Sequence, residues 1–329
     1  MAADVSVLAE SDFERWNDYV AAHPRGTAFH TTTWLRHVGA DPKVLTVREG
    51  DTILGGVALV RTRKFGLDAF HVPPYTPFFG PLLGAADTEF VLPEARHQQL
   101  TRDLLAALPP AGVHDFRLSP GHVDPLPFRW AGFEVGVGVT YRIRPGGAAE
   151  PQLGASKRRY VKKLLAEQEA GRLLVRWDVG LDRILRLWDD TAERRRFRAR
   201  GDALRRALHG IPPTWVRSLL VSTPDEVDLT VGVCVLDAGA AYYLVNASRA
   251  PLDGLLGHAN TLAVYLMARD ILSKGLTFDF EGSSVSGIAQ FYNQMGGQQV
   301  PVYRAERTRS VYYGALRAGL RHRQARSAP

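Results

Sequence analysis

The chain has 329 residues, 45% of them hydrophobic and 23% charged, and a net charge of +7. That length suits two domains, and the composition excludes a disordered or fibrous chain; the single cysteine, Cys234, excludes an intramolecular disulfide framework. No apolar run reaches the roughly eighteen residues of a membrane span, and the basic balance points to an anionic partner: nucleic acid, a phosphorylated substrate or a membrane surface.

In chain order, Asp12–Ala22 is helix-like, with Ser11 as N-cap and Phe13, Trp16 and Val20 on one face. Thr31 or Thr32 caps a short helix through Trp34, Leu35 and Val38 that stops at Gly39. Val44–Arg48 and Thr52–Thr62 form a hairpin around Glu49-Gly50-Asp51. Pro73, Pro74, Pro77 and Pro81 exclude regular helix between Phe70 and Leu83. Thr88–Leu108 is a helix, and Asp115–Leu118 and Phe133–Ile143 are strands. Pro145 to Pro151 is the best linker, which divides the chain into domains 1–147 and 148–329.

The second half opens with a basic helix, Ser156–Glu169, and a strand, Leu173–Trp177. An Arg-rich helix follows from Leu181 to Ala199, and Ile211-Pro212-Pro213-Thr214 starts another, with Thr214 as its cap. Leu229–Leu236 and Ala241–Asn246 are strands joined at Asp237-Ala238-Gly239, and Ala259–Ser273 is a helix. A short strand, Thr277–Glu281, then a Gly turn and an aromatic helix lead to a last strand, Val300–Ala305, and a basic tail. Strand alternation puts Phe278 and Phe280 on one face and Asp279 and Glu281 on the other. Those carboxylates line a cleft or a solvated edge, and Gly282 turns the chain where open α/β sheets place ligands. The N-terminal MAADVSVLAESDF lacks the basic start and apolar run of a signal peptide, so a cytoplasmic location is expected.

Several segments, taken in order, resemble the tandem acyltransferases that combine the GNAT fold with the Fem-type peptidoglycan aminoacyltransferases. Thr31 to Trp34 is similar to that group's early Thr-x-x-Trp helix, and Ser156 to Lys163 (SKRRYVKK) to its Ser-Lys-x-Arg-x-x-Ile-Lys-Lys helix. Ala241 to Leu244 resembles its aromatic strand. Phe278-Asp279-Phe280-Glu281-Gly282 with Gly287-Ile288, Phe291 and Gly296-Gly297 resembles its Tyr-Asp-x-x-Gly…Gly-Ile…Phe-Lys…Phe-Gly signature. The specific motifs lie mainly in residues 156–303. The chain departs at Tyr292, where the group has Lys, and at Ser119, where Fem enzymes can carry an acid. The resemblance implies a mixed α/β (α+β) fold of two tandem GNAT-like modules, each a mainly antiparallel sheet flanked by helices. It also implies acyl transfer to an amine of a cell-envelope or polysaccharide precursor, with acyl-CoA as co-substrate and no tightly bound cofactor. Aminoacyl-tRNA is the alternative donor, and a nucleotide-linked or other small molecule is the acceptor.

Acyl transfer needs a base for the amine and a proton for the leaving group. Asp279 and Glu281 are the candidate bases, or else structural acids paired with arginine. Gly254, Gly257, His258 and Asn260 precede or open the Ala259 helix, whose N-terminal amides favour an anion. The resemblance implies the CoA pyrophosphate there, although Asp253 has the wrong charge; His258 is otherwise a capping or core residue. Lys157, Arg158, Arg159 and Arg196 are candidate phosphate contacts, or solvated helix faces. Trp34 and Tyr75 are candidate acceptor-pocket aromatics, and Tyr243 and Tyr292 complete the substrate set. Tyr312–Arg326 could touch a membrane surface or dock as a basic tail. A basic nucleic-acid-binding module without catalysis is the rival reading. No metal-ligand spacing, Walker A loop or post-strand GxGxxG is present.

Overall fold

The computed structural model describes residues 4–64, 66–84, 94–122, 124–146, 150–194, 201–249, 254–282 and 285–309. The chain forms two compact units. Unit 1 gathers Met1–Arg36, Ala40–Val137 and Val302–Pro329; unit 2 gathers His37–Gly39 and Gly138–Pro301.

Unit 1 runs through β1 (Asp4–Val7), α1 (Phe13–Ala22), α2 (Thr32–His37), β2 (Pro42–Glu49), β3 (Thr52–Lys64), β4 (Leu67–Phe70) and β5 (Leu82–Leu83). It continues with α3 (Glu94–Ala106), β6 (Val113–Arg117), α4 (Leu126–Trp130) and the start of β7 (Glu134–Ile143). Its strands follow the order β1-β2-β3-β4-β6, with β5 paired to β3. A 3-10 turn, Glu10–Asp12, leads into α1, and no side chain caps that helix, so the Ser11 cap is corrected. Thr31 does cap α2: its Oγ1 accepts from the Trp34 amide at 3.1 Å. The chain between Phe70 and Leu83 is irregular up to the two-residue β5, as its prolines require. The part of the expected Thr88–Leu108 helix before Glu94 lies outside the described residues.

Unit 2 contains the rest of β7, then α5 (Ala155–Glu169), β8 (Leu174–Trp177), α6 (Leu181–Arg194), α7 (Gly201–Leu208), β9 (Val216–Ser222), β10 (Asp228–Leu236) and β11 (Ala240–Ser248). α8 (Ala259–Ser273), β12 (Thr277–Asp279), α9 (Ser286–Gln294) and the start of β13 (Gln298–Thr308) complete it. From Val302 onward β13 belongs to unit 1, where it pairs antiparallel with β6. The strand order in unit 2 is β7-β12-β11-β10-β9-β8. Every pairing is antiparallel except β11 with β12, which run parallel because α8 connects them as a crossover. α8 is apolar almost all round and buried along its length, packing on β9, β10 and β12 and against α5. Alternate strand residues, among them Leu219, Val221, Cys234, Ala241, Tyr243 and Phe278, join α8 in one core.

The expected helix after Ile211 is corrected. Pro213–Trp215 makes one 3-10 turn, and Val216–Ser222 is a strand between β8 and β10. Its Val, Leu and Ser residues bury both faces, so continuous apolarity here meant an internal strand.

Candidate functional site

The parallel pair β11/β12 determines the site. Its register is Ala240 with Thr277, Ala241 with Phe278 and Tyr242 with Asp279, and it stops there. β11 continues to Ser248, so among the described residues its next six positions have no strand on the β12 side. The two strands fork at their C-terminal ends. At the far end Ser248 is already taken, its amide donating to Thr191 Oγ1 at 3.1 Å and its carbonyl accepting from Thr191 and Arg194; the strand edge before it, enclosed by a core, can hold an extended ligand.

The fork is built by Asp279 to Gly282. Asp279 is fully buried. Its Oδ2 accepts from Arg142 Nε at 2.6 Å, and its Oδ1 accepts from Thr140 Oγ1 and from the Glu281 amide at 2.8 Å. The donors occupy both oxygens, so Asp279 acts as the clamp between β12 and β7. The expected shared face for Asp279 and Glu281 is corrected: β12 ends at Asp279, and Glu281 has a left-handed φ of 64° that takes it off the strand alternation. Gly282 follows at φ 72°, and a Cβ there would strike the Val139 carbonyl. Only glycine meets both demands.

Glu281 is half-buried, and its charge acts on Cys234 in β10, whose thiol is pushed up first by burial and then by Glu281. Tyr243 is the cross-strand neighbour of Cys234. Its ring lies over Gly232, where a Cβ would sit 2.6 Å from it, and 5.6 Å from Phe278. The Tyr243 hydroxyl is buried with no hydrogen-bond partner, and burial raises its pKa, with Cys234 and Tyr292 adding to the shift. Tyr292 of α9 packs 4.5 Å from Phe280 and 5.5 Å from Tyr141. The structure therefore gathers Glu281, Tyr243 and Tyr292 beside the fork, with buried Cys234 behind them.

The start of α8 forms the second part. Gly254–His258 make a 3-10 turn into the helix, with Gly254 at φ 60°. His258 is the N-cap residue but makes no side-chain cap; it stacks on Tyr160 of α5 at 3.7 Å. Burial and the nearby Lys157 both lower its pKa. Lys157 Nζ sits 4.6 Å over the Phe291 ring, burial lowers its pKa, and no carboxylate among the described residues pairs with it. The side-chain oxygen of Asn260, Oδ1, is buried without a hydrogen-bond partner. An uncompensated cation beside a helix amino terminus favours an anion.

Other expected site residues are dispersed. Arg158 lines a cavity of about 610 Å³ with Lys162, Leu165 and Tyr265, on a different side of α5 from Lys157, and Arg159 lies over Tyr160. Trp34 and Tyr75 belong to unit 1. Trp34 is fully buried, with Nε1 donating to Thr76 Oγ1 at 3.0 Å, so it has no surface to offer a ligand. Tyr75 is half-buried at φ 55°. Arg196, Asp253, the linker residues Gly147–Ala149 and the Tyr312–Arg326 tail lie outside the described residues. Arg142 and Thr140 were missed by the sequence reading; their only local signal is polar alternation along Val139–Ile143. Among the described residues no helix is long and apolar enough to cross a membrane.

No family model and no curated protein matches the chain. Solved structures do. The chain is similar to FemX with TM-score 0.65 and 14% identity, covering 91% of this chain and 96% of that one. It is similar to L-PGS from Bacillus licheniformis with TM-score 0.55 and 12% identity, covering 92% and 94%. It is similar to a tandem GNAT protein from the clavulanic acid biosynthesis pathway with TM-score 0.52 and 10% identity, covering 93% and 98%. The likeness is one of fold: the chain shares the fold of these structures, one of which is a tandem GNAT protein.

Proposed function

We propose that the protein is a transferase that moves an acyl group from an anionic carrier to an amine of a cell-envelope or polysaccharide precursor. The observation that supports this most is the fork: β11 exposes a backbone edge where Glu281, Tyr243 and Tyr292 converge. The acyl carbonyl lies along that edge, and a β11 amide stabilises the oxyanion that forms on attack. Glu281, directly or through one water, takes the proton from the attacking ammonium. Tyr292 or Tyr243 returns a proton to the leaving group. Asp279 holds the end of β12 in place. The carrier's phosphates meet the α8 amino terminus and Lys157.

Acyl-CoA is the first carrier to test. Titration with acetyl-CoA, read by native mass spectrometry, is expected to give a one-to-one complex that Lys157→Gln weakens. Failure of any complex to form would remove acyl-CoA from the reading. The exposed Arg158, Arg159, Lys162 and Lys163 favour aminoacyl-tRNA as the second reading, because they suit a long polyanion. That reading expects steep salt dependence of tRNA binding, and aminoacyl transfer from charged tRNA only.

A further inference from the structure

Unit 1 holds a charged group that the transfer reading does not use. After α1 the chain turns through His23 and Arg25. One terminal nitrogen of Arg25 donates to the Leu83 carbonyl at 2.5 Å and lies 3.5 Å from Nε2 of His97. Among the described residues no carboxylate reaches this guanidinium. Instead, histidines surround it. The Arg25 amide donates to His23 Nδ1 at 3.1 Å, which makes His23 Nε2 the donor to the Leu83 carbonyl at 3.2 Å. His122 donates through Nε2 to the Asp124 carbonyl at 3.0 Å, and its ring lies 6.5 Å from that of His97. Burial, and then the charge of Arg25, lowers the pKa of His23 and His122 to about 4, and both act on His97 in the same direction.

A half-buried cation without a counter-charge is costly, so its retention calls for a reason. The placement supplies one. Leu83 ends β5, His97 lies in the first turns of α3, and His122 follows β6. These are the strand ends and helix start at which α/β sheets bind ligands. The backbone packs closely around the cation: a Cβ built on Gly84 would lie 3.8 Å from His23 Nε2 and 4.0 Å from the Arg25 nitrogen, and one on Gly121 would be 3.9 Å from Arg25 Cγ, all at contact distance. The other groups facing the cluster are the Tyr19 hydroxyl, which donates to the Gly84 carbonyl at 2.8 Å, and Asp124, whose carboxylate is held by Gln98 and the Leu126 amide.

We propose that Arg25, with His23, His97 and His122 around it, is a phosphate-binding site of unit 1. The guanidinium supplies the charge and the fork of donors, and the neutral imidazoles surround it without bringing a competing negative charge. A bound phosphate cancels the field of Arg25, so the histidine midpoints rise and binding tightens as pH falls.

The test is a phosphate titration of the whole protein, followed by histidine-ring NMR and calorimetry. Phosphate is expected to shift the His23, His97 and His122 signals and raise their midpoints. Arg25→Gln is expected to lose binding by about tenfold or more, Arg25→Lys to lose less, and Lys157→Gln to keep the histidine response. Because the Lys157 control belongs to the other unit, failure here is distinguishable from failure of the transfer reading. Histidine signals indifferent to phosphate in the folded wild type, wild-type affinity in Arg25→Gln, or tighter binding of acetate than of phosphate would each overturn the proposal.

Discussion

Arg142 Nε donates to Asp279 Oδ2 at 2.6 Å, joining residues 137 positions apart and fixing the register of β7 on β12. Asp279 is fully buried, and the Arg142 side chain is 17% exposed. Removing one partner of such a pair leaves a buried charge exposed to no compensation, at a cost of about 3–5 kcal/mol. Asp279→Asn is therefore expected to lower the midpoint of urea denaturation strongly. A variant with wild-type stability and abolished turnover would instead place this carboxylate in the chemistry.

Glu281 is the opposite case. A non-glycine residue at φ 64° costs of order 1–3 kcal/mol, and such strain persists where the side chain is needed. Glu281→Gln keeps the shape and removes the base. Turnover is expected to fall by about 10²–10⁴ with the urea midpoint close to wild type. Equal turnover in the variant would remove Glu281 from the mechanism.

Much of this site was readable because its signals are local. The α8 sequence is apolar through Ala259–Ser273, and the structure begins and ends the helix at those residues. Phe278 and Phe280 do point into the α8 core together, as alternation requires. The left-handed turn at Glu281 was not readable. Glycine at 282 accounts for one positive φ, and nothing in Glu281 itself announces a second. Arg142 and Asp279, like Arg25 and His122, meet only through tertiary packing, which leaves no spacing to detect. At β9 the sequence misled for a physical reason. Pro212-Pro213-Thr214 carries helix-start chemistry, and the structure uses it for a single 3-10 turn.

The Tyr243 hydroxyl is buried without a partner beside the fork, and an unsatisfied buried donor costs about 1–3 kcal/mol. Tyr243→Phe is expected to leave the free protein as stable as wild type or more so, measured by thermal unfolding. The same variant is expected to bind the acyl carrier less tightly or turn over more slowly, because the hydroxyl waits for a ligand atom. Loss of stability with unchanged transfer would make it a packing residue alone.

Buried histidines set the acid limit of unit 1. His23, His114 and His122 are lowered from 6.5 to about 4, and His30 to about 3, in each case chiefly by burial. Between these values and 6.5 the unfolded chain binds protons that the folded chain refuses. Stability is therefore fully present above about pH 6.5 and falls as pH drops toward 4. Urea midpoints measured across that window are expected to decline steeply. His114→Gln should flatten the decline, since its ring faces Phe70 and Phe116 and its Nε2 bonds only the Pro109 carbonyl. A midpoint that is constant from pH 7 to 4.5 would mean that these rings are protonated, or exposed, in the folded protein.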